Sequence, residues 1–247
     1  MKNKKAQLTI FIIISILIVA VVVLFLTLRG NLNLPGKPVS PETAEIQNFV
    51  QTCLDDSLER VVFRVGENGG YYFPPKVSTP ILEIPYYIKD NKNLMPTKEN
   101  IGNEISKYVS RELVLCLGDF ALFIPKYNVT KGAITTTAKI EPEKVLVELN
   151  YPLTIIKGDS KSKIEDFNSE VPVRLGIVYD AAAEFVGGEL ETGEGICADC
   201  LIISFAQSGL KSNIFWEDDK TAIFIVRDYF SIMHDKEFVF NFAGKYS

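Results

Sequence analysis

The tightest grouping of chemistry-bearing residues in this 247-residue chain is Cys197-Ala198-Asp199-Cys200. Two thiols three positions apart meet within one helical turn, and a thiolate at a helix start is stabilised by the free N–H groups there. The spacing suits a redox dithiol or a small structural disulfide. Loop-closure entropy makes so short a disulfide worth about 2 kcal/mol.

Thioredoxin-like dithiols usually carry an aromatic before the first cysteine and Gly-Pro inside the pair. Ile196 and Ala-Asp stand there, so the structural disulfide is the favoured reading. The other cysteines, Cys53 and Cys116, fall on the apolar stripes of two predicted helices. Outside the cytoplasm four cysteines suggest disulfides, with three connectivities open. Helices packed face to face favour Cys53–Cys116, whose closure is worth roughly 4 kcal/mol.

No metal or cofactor is expected, because His234 is the single histidine and no second CxxC or HxxxH is present. Hydrolase, P-loop and dinucleotide signatures are missing from the sequence, so a non-enzymatic role is expected. Asn128-Val129-Thr130 matches the N-glycosylation acceptor. Tyr71, Tyr72, Tyr86 and Tyr87 read as core aromatics in preference to a contact surface. Glu189, Glu191, Glu194 and Asp199 read as a solvated acidic loop, since no spaced calcium motif accompanies them.

Several elements must position these groups. Ser40-Pro41-Glu42 opens a helix with a cap, a first-turn Pro and an acid. Its stripe runs Ile46, Phe49, Val50, Cys53, Leu54, Leu58, Val61, Val62, Val65, and Gly66 ends it. Extended segments broken by Pro80 and Pro85 precede a second helix over 97–120. Strands are predicted over 134–140 and 144–156, then a polar loop over 158–163 and a third helix from Ser169-Glu170 to Gly187-Gly188. A short helix follows Cys200, and strands near 212–216, 221–228 and 237–243 close the chain, with Phe238, Phe240 and Phe242 on one face. The expected fold class is α+β, amphipathic helices on antiparallel sheet.

Residues 8–28, LTIFIIISILIVAVVVLFLTL, carry no charge, and 17 of the 21 are Leu, Ile, Val or Phe. A helix of that length spans roughly 31 Å, close to a bilayer's hydrocarbon thickness. A transmembrane helix is therefore expected, with the lipid bilayer as partner. Residues 1–7 are a short basic cytoplasmic N-terminus under the positive-inside bias. Residues 29–40 form a Gly/Pro linker, and 41–247 an extracellular domain with a possible sub-boundary near 125–132. A cleaved secretory signal is the less favoured reading, the apolar run being too long. Four of the 26 basic residues and none of the 31 acidic ones lie in the first 29 positions, which leaves the rest at a formal charge of −9. So acidic a domain disfavours nucleic acid as a partner.

Lys4-Lys5-Ala6-Gln7 ahead of this apolar run resembles the class III signal of archaeal type IV pilins. The resemblance implies a cut between Ala6 and Gln7 and packing of the apolar helix into a filament core. Phe11 departs from it, since many such pilins carry Glu there, and the 29–40 linker departs from a continuous pilin helix. The wider layout resembles a group of archaeal single-span membrane-anchored surface proteins: two helices ending in Cys-Leu, Gly-Gly-Tyr-Tyr, Ile-Pro-Tyr-Tyr and a terminal Phe-Val-Phe-Asn-Phe-Ala. It implies a surface location and carries no catalytic residue over. The expected function is a cell-surface structural protein, a self-associating filament or envelope subunit or an adhesin. A membrane-tethered thiol–disulfide oxidoreductase using Cys197 and Cys200, or an accessory subunit of a membrane complex, is the alternative.

Overall fold

The structure, a computed structural model, describes residues 17–18, 41–193 and 195–246. Its contacts divide the chain into Met1–Ser40 and Pro41–Ser247. In the first unit Leu17 and Ile18 are helical and exposed. The rest of the predicted span, the Ala6–Gln7 position and the 29–40 linker lie outside the described residues. No described helix is long and apolar enough to cross a membrane.

The second unit is a mixed α+β fold. Helix α1 (Pro41–Glu67) buries Ile46, Val50, Cys53, Leu54, Leu58, Val61, Val62 and Val65, the stripe expected from three- and four-residue spacing. Burying each such side chain contributes on the order of 1.5–3 kcal/mol, which outweighs the weak intrinsic propensity of its valines. Helix α2 (Lys98–Leu117) starts where the Thr97 hydroxyl accepts the Asn100 N–H at 3.1 Å and stops at Gly118 in the left-handed region. Ile101, Ile105, Val109 and Leu113 are buried in the core on this helix, which packs against α1 and against one strand of the sheets. Phe120, in the 3-10 turn Gly118–Phe123 that follows, packs edge-on against Phe49 of α1.

The first sheet begins with β1 (Tyr86–Lys89) and β2 (Lys92–Asn93) and is completed by β7 (Lys211–Asp218), β8 (Thr221–Met233) and β9 (Lys236–Lys245), in the order β2-β1-β9-β8-β7. All its pairs are antiparallel except β1–β9. The second sheet holds β3 (Asn128–Lys131), β4 (Thr135–Ile140), β5 (Val145–Lys157) and β6 (Ser160–Val171). β6 pairs along β5 from Val145↔Val171 to Lys157↔Ser160, while β3 and β4 pair with successive halves of β5. Helix α2 covers β4, where the Ser106 hydroxyl accepts the Ala138 N–H at 2.8 Å.

Helix α3 (Leu175–Thr192) lies on the first sheet, and its Phe185 ring meets Phe205, Phe224 and Phe242. Phe238, Phe240 and Phe242 are fully buried on one face of β9, as the alternation predicts. Gly66 lets α1 approach that strand: a Cβ there would sit 2.5 Å from the Phe238 ring and 2.6 Å from the Val239 carbonyl.

Three expectations need correction. Residues 160–163 of the predicted loop and the helix start at Ser169-Glu170 are strand β6, because β5 presents a long edge and a tight Gly158-Asp159 turn feeds the chain straight back along it. Phe167, Ser169 and Val171 alternate inward, and the helix begins only at Leu175, after Pro172. Gly187-Gly188 does not stop α3, which runs on to Thr192. Asn128 is the exposed first residue of β3, not a loop residue.

Candidate functional site

Cys197 and Cys200 are joined by a disulfide, and so are Cys53 and Cys116, the pairing expected from the two helix stripes. The two bonds sit in different surroundings. Cys53 is 1% exposed and its partner Cys116 is half-buried, whereas both cysteines of the second bond are half-buried. Cys197 caps the short helix α4 (Ala198–Leu201), its Sγ accepting the Cys200 N–H at 3.1 Å. Cys200 packs against Gly188 of α3, where a Cβ would stand 2.7 Å from Sγ. That close approach is the reason for glycine at this helical position.

Glu189 lies beneath the pair and is the residue that sequence reasoning misplaced. It belongs to α3, is 4% exposed and is not part of a solvated loop. Its Oε1 accepts the Cys197 N–H at 2.7 Å and its Oε2 accepts the Tyr246 hydroxyl at 3.0 Å. Burial pushes the carboxyl above its ordinary pKa, partly offset by the Cys197 and Tyr246 hydrogen bonds. Burial first, and then the neighbouring Glu189 charge, raises the Tyr246 hydroxyl strongly. A Glu directly after the predicted helix end at Gly187-Gly188, followed eight residues on by a CxxC, was the available signal. Its burial depends on the C-terminal Tyr246 folding over it, which no local pattern reveals.

Beside Glu189 a cavity of about 520 Å³ is walled by Ile88, Asn91, Gly193, Gly195, Lys245 and Tyr246. Of the other acidic residues, Glu191 and Asp199 are exposed, and Glu194 lies outside the described residues. Among the described residues no cluster of His, Cys, Asp or Glu has the geometry to hold a metal. His234 sits in the β8–β9 turn, 3.7 Å from Glu59 and edge-on to Phe63. Tyr86 and Tyr87 are core residues, while Tyr72 is half-buried, stacked on Tyr108 and donating to Glu112 at 2.9 Å.

A second feature is a surface. β7 is the outermost strand of its sheet, and no described strand pairs with its outer edge. Ile214, Phe215 and Trp216 are 37%, 52% and 49% exposed along it. Phe230 on β8 is 75% exposed, with Tyr229 and Ile232 beside it. Short strands, inward charges or covering loops normally blunt such an edge.

Comparison with protein-family models, curated proteins and solved structures finds no match to the chain.

Proposed function

We propose that this chain is a membrane-tethered cell-surface protein that works as a structural subunit of a surface assembly. Residues 8–28 hold it in the bilayer, the basic N-terminus faces the cytoplasm, and the α+β head stands outside. The open apolar edge of β7 carries this reading. An edge strand with three adjacent large apolar side chains half in water is an adhesive surface, and main-chain pairing is the way such edges bind.

The occupant that β7 suits is a second copy of itself. A two-fold axis perpendicular to the sheet makes opposed residues share a face, so the two opposed residue numbers sum to an even value. Centring the axis on Phe215 sets Phe215 against Phe215 and Ile214 against the second copy's Trp216. The antiparallel sense also brings Lys211 of each copy towards the other's acidic Glu217-Asp218-Asp219 end, whereas a parallel pair would stack like charges.

Sedimentation of the full chain in detergent tests the proposal. The expected result is a concentration-dependent dimer or larger species that Phe215→Lys dissolves without lowering the melting temperature. A strictly monomeric wild-type chain would sink it. The N-terminal residue of the native protein then sorts the assembly type: Gln7 marks the pilin route and Met1 a permanent anchor.

A further inference from the structure

We infer that the Cys197–Cys200 disulfide is an exchange-active redox centre that takes electrons from cysteine pairs of a second polypeptide, with Glu189 as its positioning residue. The inference is separate from how the head assembles and stands on the placement of Cys197 outside the apolar core, where Cys53 of the other disulfide lies within it. In Cys53–Cys116 one sulfur, that of Cys53, is buried in the core between the helices, so an incoming thiolate could approach that bond at the half-buried Cys116 alone. Cys197 lies half-buried at the head of its turn and outside the apolar core, while Cys200 packs inward on Gly188.

The chemistry is balanced by the two partners alone. An incoming thiolate attacks Cys197 Sγ; a bond forms between the two sulfurs, the Cys197–Cys200 bond breaks, and the electron pair leaves on Cys200, which takes a proton from water. The second thiolate of the same polypeptide then attacks its own sulfur in the mixed disulfide and expels Cys197 as a thiolate. Two electrons pass to this chain, and the polypeptide leaves with a new disulfide. The Cys200 N–H, 3.1 Å from Cys197 Sγ, is already aimed at the sulfur that must carry the negative charge.

Two features around the pair serve this role. The buried Glu189 carboxyl grips the Cys197 N–H and keeps the turn in place when the covalent closure opens. Ile202 and Ile203, directly after Cys200-Leu201, are 61% and 46% exposed and offer an apolar rest for an extended polypeptide.

The test uses the oxidised full chain in detergent and a reduced synthetic peptide with two cysteines, followed by alkylation and mass mapping of every thiol. The expected result is stoichiometric oxidation of the peptide, with label appearing on Cys197 and Cys200 and none on Cys53 or Cys116. Cys200→Ala, offered the oxidised peptide, is expected to retain it as a mixed disulfide on Cys197, and Cys197→Ala to retain none. Glu189→Gln is expected to shift the Cys197–Cys200 midpoint in graded glutathione buffers while the dimer or monomer state stays as in wild type. Recovery of the peptide fully reduced, with both disulfides intact, overturns the inference. The wild-type thiol map decides this alone if a variant fails to fold. Loss of self-association with exchange retained would overturn the assembly proposal instead.

Discussion

Glu189 accepts the Tyr246 hydroxyl at 3.0 Å, across 57 residues of sequence, and so ties helix α3 to the end of the last strand. The same carboxyl holds the Cys197 backbone, so one buried acid joins three segments. Burial raises its pKa above the ordinary carboxyl value of 4.5, and the sign of the pH effect follows. A raised acid favours the fold fully below its unfolded pKa, and that contribution fades as pH rises through the folded pKa. Urea unfolding of wild type and Glu189→Gln should therefore diverge with pH. As pH rises from the ordinary carboxyl value through the raised one, the difference in midpoint is expected to move in favour of the glutamine variant. A difference that is flat with pH would mean the carboxyl is not perturbed.

The Cys53–Cys116 bond closes a 63-residue separation across the α1–α2 interface. Replacing both cysteines by Ala is expected to lower stability by roughly 4 kcal/mol, most of it through a looser unfolded chain. Denaturant unfolding measures the loss. Peptide oxidation by Cys197–Cys200 should survive at temperatures where the variant remains folded, because the two bonds join different elements of the fold.

Asp228 is 0% exposed and is held by Arg174 Nη1 at 2.8 Å, by the Ser231 hydroxyl at 2.5 Å and by the Phe230 N–H at 3.2 Å. Arg174 in turn donates to the Ser208 carbonyl at 2.6 Å, so the pair fastens the start of α3 to the turn before β7 and to β8. Asp228→Ala leaves the guanidinium without its counter-charge and is expected to cost about 3–5 kcal/mol. The double change Arg174→Met, Asp228→Leu should cost less than the single one, since it strands no charge. Equilibrium unfolding of the two variants gives the comparison. A double variant worse than the single would refute this account of the pair.

Gly66→Ala brings a methyl within 2.6 Å of the Val239 carbonyl and into the Phe238 ring. Backbone cannot yield as a side-chain tip does, so α1 must lift from β9. A loss of about 1–3 kcal/mol is expected from overpacking, and a fall in melting temperature is the measurement.

Periodicity alone placed most of the core. The α1 stripe from Ile46 to Val65 and the α2 stripe from Ile101 to Leu117 each repeat at a helix's spacing, so their buried faces were legible before any partner was known. The Cys53–Cys116 pairing followed from those two stripes. So did the alternation of Phe238, Phe240 and Phe242 on β9. Local pattern is enough where an element's own residues decide which side is dry.

Tertiary structure decided the rest. Residues 160–171 have a mixed polar texture, and they became a strand because β5 offered thirteen residues of edge to pair with. Gly188 looked like a helix stop and is instead the gap that admits Cys200. Glu189 looked solvated, and it is buried because Tyr246 and the Cys197 turn close over it from distant parts of the chain. The sequence by itself determined where thiols and apolar faces would lie, since these depend on spacing. Which carboxyl would be desolvated beside which thiol depends on contacts between segments far apart in the chain, and the fold alone set those.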